Sequence, residues 1–274
     1  MTRIGFIGAG AMGLPMVHRL TFAGFDTYAL DRSGRHRDEL TQAGVVSSSS
    51  LADVAEESDV VIICVLTDQQ VRDVAFAADG VIAMMPAGGV IIVHTTCDPA
   101  TLEDIAREAS MKGIRVVDAA LSGGPQDIAS GHLTLFIGGT AEDLELVRPM
   151  LTSYSEVIVH AGPVGFGQRV KLVNNALFTA HIGLAADALR LGAELGVPAE
   201  VLLAALPHAS GNSRAVQMIA ASGSLHQTAA SAGRFVAKDV RVVQTVAARL
   251  GADLGLLGDV LDSPFIQQEI LEKH

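Results

Sequence analysis

The chain reads as an α/β protein: a doubly wound, parallel sheet over residues 1–162, followed by an all-helical domain over residues 163–274. Three observations lead there. The first half alternates short Val- and Ile-rich runs with amphipathic segments, the pattern of repeated strand–helix–strand units. Several of those runs are apolar throughout, as strands covered on both faces are. After about Gly162 the texture changes to Ala- and Leu-rich helical segments.

In chain order, the expected strands are Arg3–Ile7, Thr27–Asp31, Val45–Val46, Val60–Val65, Val90–His94 and Arg115–Asp118. Helices fill the intervals. The best marked starts at Asp98, an N-cap residue, with Pro99 at the first helical position and Glu103 and Asp104 in the first turns, and it ends near Gly113. No strand pattern appears after Val159. Val170–Leu195 lacks proline and is long enough for a helix of roughly 39 Å at 1.5 Å per residue. Helices are also expected over Ala199–Leu206, Ala215–Ala221, Ala237–Leu250 and Leu254–Asp262, which sets the domain boundary at Gly162-Pro163.

Hydrophobic residues make up 49% of the 274, enough for a large core, and the formal net charge of −11 excludes the basic surface that nucleic acid or an anionic membrane needs. Two cysteines, Cys64 and Cys97, cannot build a disulfide framework and fit a reduced compartment. The uncharged stretch from Ile4 to Val17 faintly resembles a leader, but its glycines and Pro15 argue against one. No run reaches the ~18 apolar residues of a membrane span. The expectation is a soluble cytoplasmic protein.

The N-terminus reads Gly8-Ala9-Gly10-Ala11-Met12-Gly13, a G-x-G-x-x-G directly after the first strand. The three glycines serve different ends. Gly8 makes the tight turn, Gly10 lets the backbone approach a pyrophosphate, and Gly13 lets the helix pack against the strand. The helix N-terminus, from Ala11 and Met12 onward, then offers free N–H groups to phosphates. Asp31, 18 residues after Gly13, ends the second strand, where an acid binds ribose hydroxyls. These features predict a Rossmann dinucleotide-binding domain. Asp31 favours NAD, while Arg32, with Arg35 and Arg37 nearby, suits the 2′-phosphate of NADP. NAD is the expected cofactor and NADP the other outcome.

The chain holds four lysines, Lys112, Lys171, Lys238 and Lys273, against fifteen arginines. A lysine in an apolar helix of such a chain invites attention, because its amine can exchange a proton where a guanidinium cannot. Lys171 and Asn175 are four apart and share a helix face, behind a segment with three glycines, Gly162 to Gly167.

Taken together, four ordered motifs resemble the β-hydroxyacid dehydrogenases, over nearly the whole chain: Gly5 to Met16, Asp118-Ala119-Ala120-Leu121-Ser122-Gly123-Gly124, Gly162 through Lys171 to Asn175, and Phe235 to Val240. The resemblance implies hydride transfer between a nicotinamide cofactor and a small 3-hydroxy acid or its semialdehyde. Lys171 would be the catalytic acid and base, and Asn175 would orient the substrate. Ser122, Gly123 and Gly124 would hold the substrate carboxylate, and Lys238 would lie near substrate or cofactor. Val65 and Leu66 after the fourth strand, and Thr96 after the fifth, would meet the nicotinamide and ribose. A homodimer or homotetramer is expected from exposed apolar helix faces.

The chain departs from the family pattern in places. Ala120 and Leu66 stand where proline is usual, and His94 where aspartate is common, before Thr95 and Thr96. Other readings fit less well. No Tyr-x-x-x-Lys pair is present, the nine histidines are dispersed rather than clustered as zinc ligands, and Ser122 lacks a G-x-S-x-G frame. An imine or other carbonyl reductase, or a non-catalytic dinucleotide sensor, stays open as an alternative.

Overall fold

The structure, a computed structural model, describes residues 2–273, the Ala232 side chain apart. It divides into two compact units, Met1–Lys171 and Leu172–His274. The strands are β1 (Arg3–Ile7), β2 (Asp26–Leu30), β3 (Val46–Ser48), β4 (Val60–Ile63), β5 (Val90–Val93), β6 (Arg115–Ser122), β7 (Leu133–Gly138) and β8 (Ser155–Gly162). They form one eight-stranded sheet in the order β3-β2-β1-β4-β5-β6-β7-β8.

Helices of the first unit are α1 (Gly13–Phe22), α2 (Arg37–Gln42), α3 (Leu51–Glu56), α4 (Asp68–Phe76), α5 (Val81–Met84), α6 (Pro99–Ser110), α7 (Pro125–Ser130) and α8 (Ala141–Leu151). The expected start of α6 is observed: Asp98 accepts the Ala100 N–H at 2.9 Å, with Pro99 following. α9 (Phe166–Glu194) runs from the first unit into the second. α10 (Ala199–Ala205), α11 (Arg214–Ser222), α12 (Leu225–Leu250) and α13 (Leu256–Leu261) follow, with a π-turn over Ile266–Leu271.

The central strands bury both faces, and the period of two along each strand sorts their side chains into two cores. Phe6, Ile62 and Ile92 join one core with Met16, Leu20 and Tyr154. Ile7, Val61, Ile63, Ile91 and Val93 join the other with Leu102 and Ile105. Each such side chain, taken fully out of water, contributes roughly 1.5–3 kcal/mol. Continuous apolar runs such as Val60–Ile63 therefore encode central strands.

Two expectations change. The sheet is not wholly parallel: β6 continues to Ser122 and pairs antiparallel with β7, which pairs parallel with β8. β7 and β8 lie outside the six expected strands because β7 alternates buried with half-buried residues and β8 is largely exposed, weaker signals than an unbroken apolar run. The other difference is α12, which begins at Leu225 rather than Ala237. Thr228, Ser231 and Gly233 are weak helix formers, yet Thr228 and Ala229 are buried and Ser224 caps the start by accepting the Gln227 N–H. Within the second unit, Ile182, Val236, Val240, Ile266 and Ile270 make one core, and Leu172, Ala176, Val243 and Val246 another.

Candidate active site

The glycine-rich turn adopts the geometry that its spacing predicts. Gly8 has φ +103°, in the region that glycine alone enters freely, and its carbonyl accepts the Gly10 N–H at 2.8 Å. A Cβ on Gly13 would collide with the Gly8 carbonyl and with the Phe6 ring, so glycine there is required by packing. A Cβ on Gly10 would meet nothing within 4 Å. Nothing in the protein itself demands glycine at that position, whereas the close approach of a ligand backbone would.

A groove of about 310 Å³ opens beside this turn, lined by Gly8, Ala9, Gly10, Asp31, Arg32, Ser33, Val65 and Gln70 among others. Asp31 is 6% exposed; one carboxylate oxygen accepts from the Ser33 hydroxyl at 3.3 Å, and Oδ2 is buried with no hydrogen-bond partner. An orphaned carboxylate oxygen in a groove is costly unless a ligand donates to it, and a ribose diol supplies such donors. Arg32 next to it is exposed. These residues fit an adenine dinucleotide.

The ends of β4 and β5 are tied together. The Val65 N–H donates to Thr95 Oγ1 at 3.0 Å, and the Thr95 hydroxyl donates to the Val65 carbonyl at 2.9 Å. Gln70 accepts the Leu66 and Thr67 N–H groups within a capping box at the start of α4. Thr96 is buried, and Val65 and Leu66 are half-buried.

At the end of β6, Ser122 is half-buried and Gly123 has φ +131°. A Cβ on Gly123 would come within 2.9 Å of Leu133 and 3.0 Å of the Asp127 carboxylate. The Gly124 N–H is already engaged, donating to Asp127 Oδ2 at 2.7 Å where α7 begins. Of the expected carboxylate holders, Ser122 and Gly123 therefore keep their donors clear of this bond, while Gly124 serves the loop.

Lys171 is buried on α9, 9% exposed. The start of α9 is held by Asp118 of β6: Oδ1 accepts the Gly165 N–H at 2.6 Å and Oδ2 the Gln168 N–H at 2.9 Å. Burial pushes the Asp118 carboxyl above its ordinary range, against the pull of these N–H donors. Gln168 in turn donates to the Thr95 carbonyl at 2.9 Å and accepts the Cys97 N–H at 3.1 Å.

One turn along α9 from Lys171, Asn175 is buried and donates to Asp239 Oδ2 at 2.6 Å. Lys238 Nζ lies 2.9 Å from Asp239 Oδ1 as an ion pair. Asp239 is thus shared between two of the residues singled out by sequence.

His94, in the aspartate position, is fully buried. Its Nδ1–H donates to the Ala119 carbonyl at 2.6 Å, and its Nε2 accepts from the Tyr154 hydroxyl at 3.0 Å. Both ring nitrogens are satisfied in the neutral form, and burial lowers the pKa to about 4. Sequence reasoning gave Gln168, Asp127, Asp239 and Tyr154 no role. The one usable signal was an acid, Asp118, at the end of an apolar strand that demands a buried partner.

Comparison with known proteins bears on the whole chain. Residues 3–162 match the model of the NAD-binding domain of 6-phosphogluconate dehydrogenase. Residues 165–262 match that of the NAD-binding region of NADP-dependent 3-hydroxyisobutyrate dehydrogenase. The chain is 35% identical to L-threonate dehydrogenase of Cupriavidus necator over 77% of its own length and 71% of that protein. It is 33% identical to the mitochondrial 3-hydroxyisobutyrate dehydrogenase of Homo sapiens, over 77% and 62%. The structure of Mycobacterium tuberculosis 3-hydroxyisobutyrate dehydrogenase with L-serine superposes with a TM-score of 0.85, at 26% identity, covering 98% of this chain and 95% of that one.

Proposed function

The chain belongs to the β-hydroxyacid dehydrogenases, NAD(P)-dependent oxidoreductases of CH–OH groups, and from that membership we propose that Lys171 is the acid and base for a small 3-hydroxy acid or its semialdehyde. The observation that carries this reading is the burial of Lys171, one of four lysines in the chain, on the helix that also presents Asn175. Nicotinamide, when bound, supplies or takes up the hydride. Lys171 accepts the hydroxyl proton in oxidation and returns one in reduction. Asn175 orients the substrate hydroxyl, its own amide fixed by Asp239.

The Ser122 hydroxyl and the Gly123 N–H bind the substrate carboxylate without adding a titratable charge, and Lys238 contributes positive charge. Gly8, Gly10, Ala11, Met12 and Gly13 hold the pyrophosphate, Asp31 the adenosine ribose, and Val65, Leu66 and Thr96 the nicotinamide half. We assign a preference for NAD over NADP, supported by the buried Asp31 carboxylate, whose Oδ2 has no hydrogen-bond partner, beside an exposed Arg32. Residues 1–162 serve as the cofactor domain and 163–274 as the substrate and assembly domain.

The assembly is a homo-oligomer, a dimer or tetramer. α9 carries Val170, Leu177, Leu184 and Leu191 at intervals of seven, all exposed, an apolar seam of the kind helices bury against one another. Cys64 and Cys97 form no disulfide among the described residues, which suits a reducing cytoplasm.

Turnover of 3-hydroxyisobutyrate, L-threonate, L-serine and the corresponding semialdehydes, with NAD(H) and NADP(H), tests the reading. Hydroxy acids should outperform uncharged alcohols of the same size. The reverse order, or no hydride transfer to any of them, would overturn it.

A further inference from the structure

Lys171 lies on the second turn of α9, and two buried side chains anchor the first turn to the neighbouring loops. Asp118, four residues before Ser122 on β6, takes the N–H groups of Gly165 and Gln168 with its two carboxylate oxygens. The fit leaves no slack: a Cβ on Gly167 would lie 2.7 Å from Asp118 Oδ2, and Gly138 is likewise closed by the same carboxylate. Gln168 is 0% exposed and reaches the other way, donating to the Thr95 carbonyl and accepting the Cys97 N–H, on either side of Thr96. Gln168 and Lys171 are three apart and share a helix face.

We propose that Asp118 and Gln168 are positioning residues for Lys171, clamping its helix to the strand that ends at Ser122 and to the loop that carries Thr96. This rests on the reading of Lys171 as the acid and base. The physical case is that the four leading N–H groups of a helix have no partner within it. Satisfying them from β6 makes the axial position of α9 depend on that strand. A carboxylate does this more firmly than a hydroxyl cap, since it offers two acceptors and a charge that complements the helix N-terminus. Gln168 then fixes rotation about the axis, because both ends of its amide are held. Misplacement of a catalytic group by about 1 Å is enough to cost ~10²-fold in rate.

Asp118→Asn keeps the shape but turns one acceptor into a donor facing a helix N–H. Gln168→Met keeps the volume and removes both bonds. With either variant, kcat for the best acid of the turnover screen should fall about 10–100-fold, while KM for that acid and the Kd of NADH stay within about twofold. Added to Lys171→Ala, neither change should lower kcat further, since residues that act through one group do not add.

A second readout needs no substrate. With lysine labelled at Cε by ¹³C, four resonances are expected, and Lys171→Arg identifies the one from Lys171. That resonance should move in Asp118→Asn and in Gln168→Met, while those of Lys112, Lys238 and Lys273 stay. If one variant fails to fold, the other carries the test. An unmoved Lys171 resonance, or losses that multiply with Lys171→Ala, overturns the clamp while leaving an inactive Lys171→Ala to support the acid–base reading. A moved resonance with normal turnover in Lys171→Ala supports the clamp and removes that reading.

Discussion

At the scale of single residues, chemistry and stability separate. Lys171→Ala should fold and bind NADH yet lose about 10²–10⁴ in kcat, the usual worth of a general acid and base. Lys171→Arg should fail as well, because a guanidinium keeps its proton at working pH. Steady-state kinetics beside NADH fluorescence titration check both. Asp31→Asn removes the charge that repels a 2′-phosphate while Arg32 stays in place. The ratio of kcat/KM for NAD over NADP should fall at least tenfold, about 1.4 kcal/mol.

His94 makes a prediction of the opposite kind, about stability alone. Its folded pKa is about 4 against 6.5 unfolded. Between those values the unfolded chain binds a proton that the folded one refuses. The contribution is therefore complete above pH 6.5 and is lost as pH falls towards 4, about 3 kcal/mol in all. Urea unfolding from pH 7 to 4.5 should show this slope, and His94→Gln should flatten it.

At the scale of elements, the glycines of the connecting turns matter more than the strands themselves. Gly167→Ala places a methyl against the Phe136 carbonyl and the Asp118 carboxylate, both fixed by β6–β7 pairing. It should cost about 1–3 kcal/mol as an overpacked site, read as a lower urea midpoint at unchanged slope. Gly123→Val is a poorer probe of the substrate site. With φ +131° and Leu133 and Asp127 crowding the new side chain, it strains the loop whether or not a carboxylate binds there. Ser122→Ala leaves that backbone intact and is the cleaner test of carboxylate binding.

For the whole molecule, the proposed assembly rests on the seam on α9. Its four apolar side chains recur every seven residues and are exposed in the single chain. Leu184→Asp with Leu191→Asp should convert the oligomer to monomer in sedimentation velocity, since two carboxylates in an apolar contact lose their hydration. A protein that sediments as a monomer before any substitution would refute the assembly.

Much of this architecture was legible in the residues themselves. The spacing of Gly8, Gly10, Gly13 and Asp31, the unbroken runs Val60–Ile63 and Val90–Val93, and the lysine on a long helix are local features, set by φ, ψ and side-chain periodicity within a few positions. The start of α12 and the strands β7 and β8 escaped because packing and pairing with distant partners outweighed weak local preference. What holds Lys171 in place was decided only by tertiary structure. The Asp118 bonds to Gly165 and Gln168 span 47 and 50 residues, and those of Gln168 to Cys97 and Thr95 span 71 and 73. No periodicity carries such pairings, because a buried polar group is satisfied by whichever partner the packed sheet brings beside it.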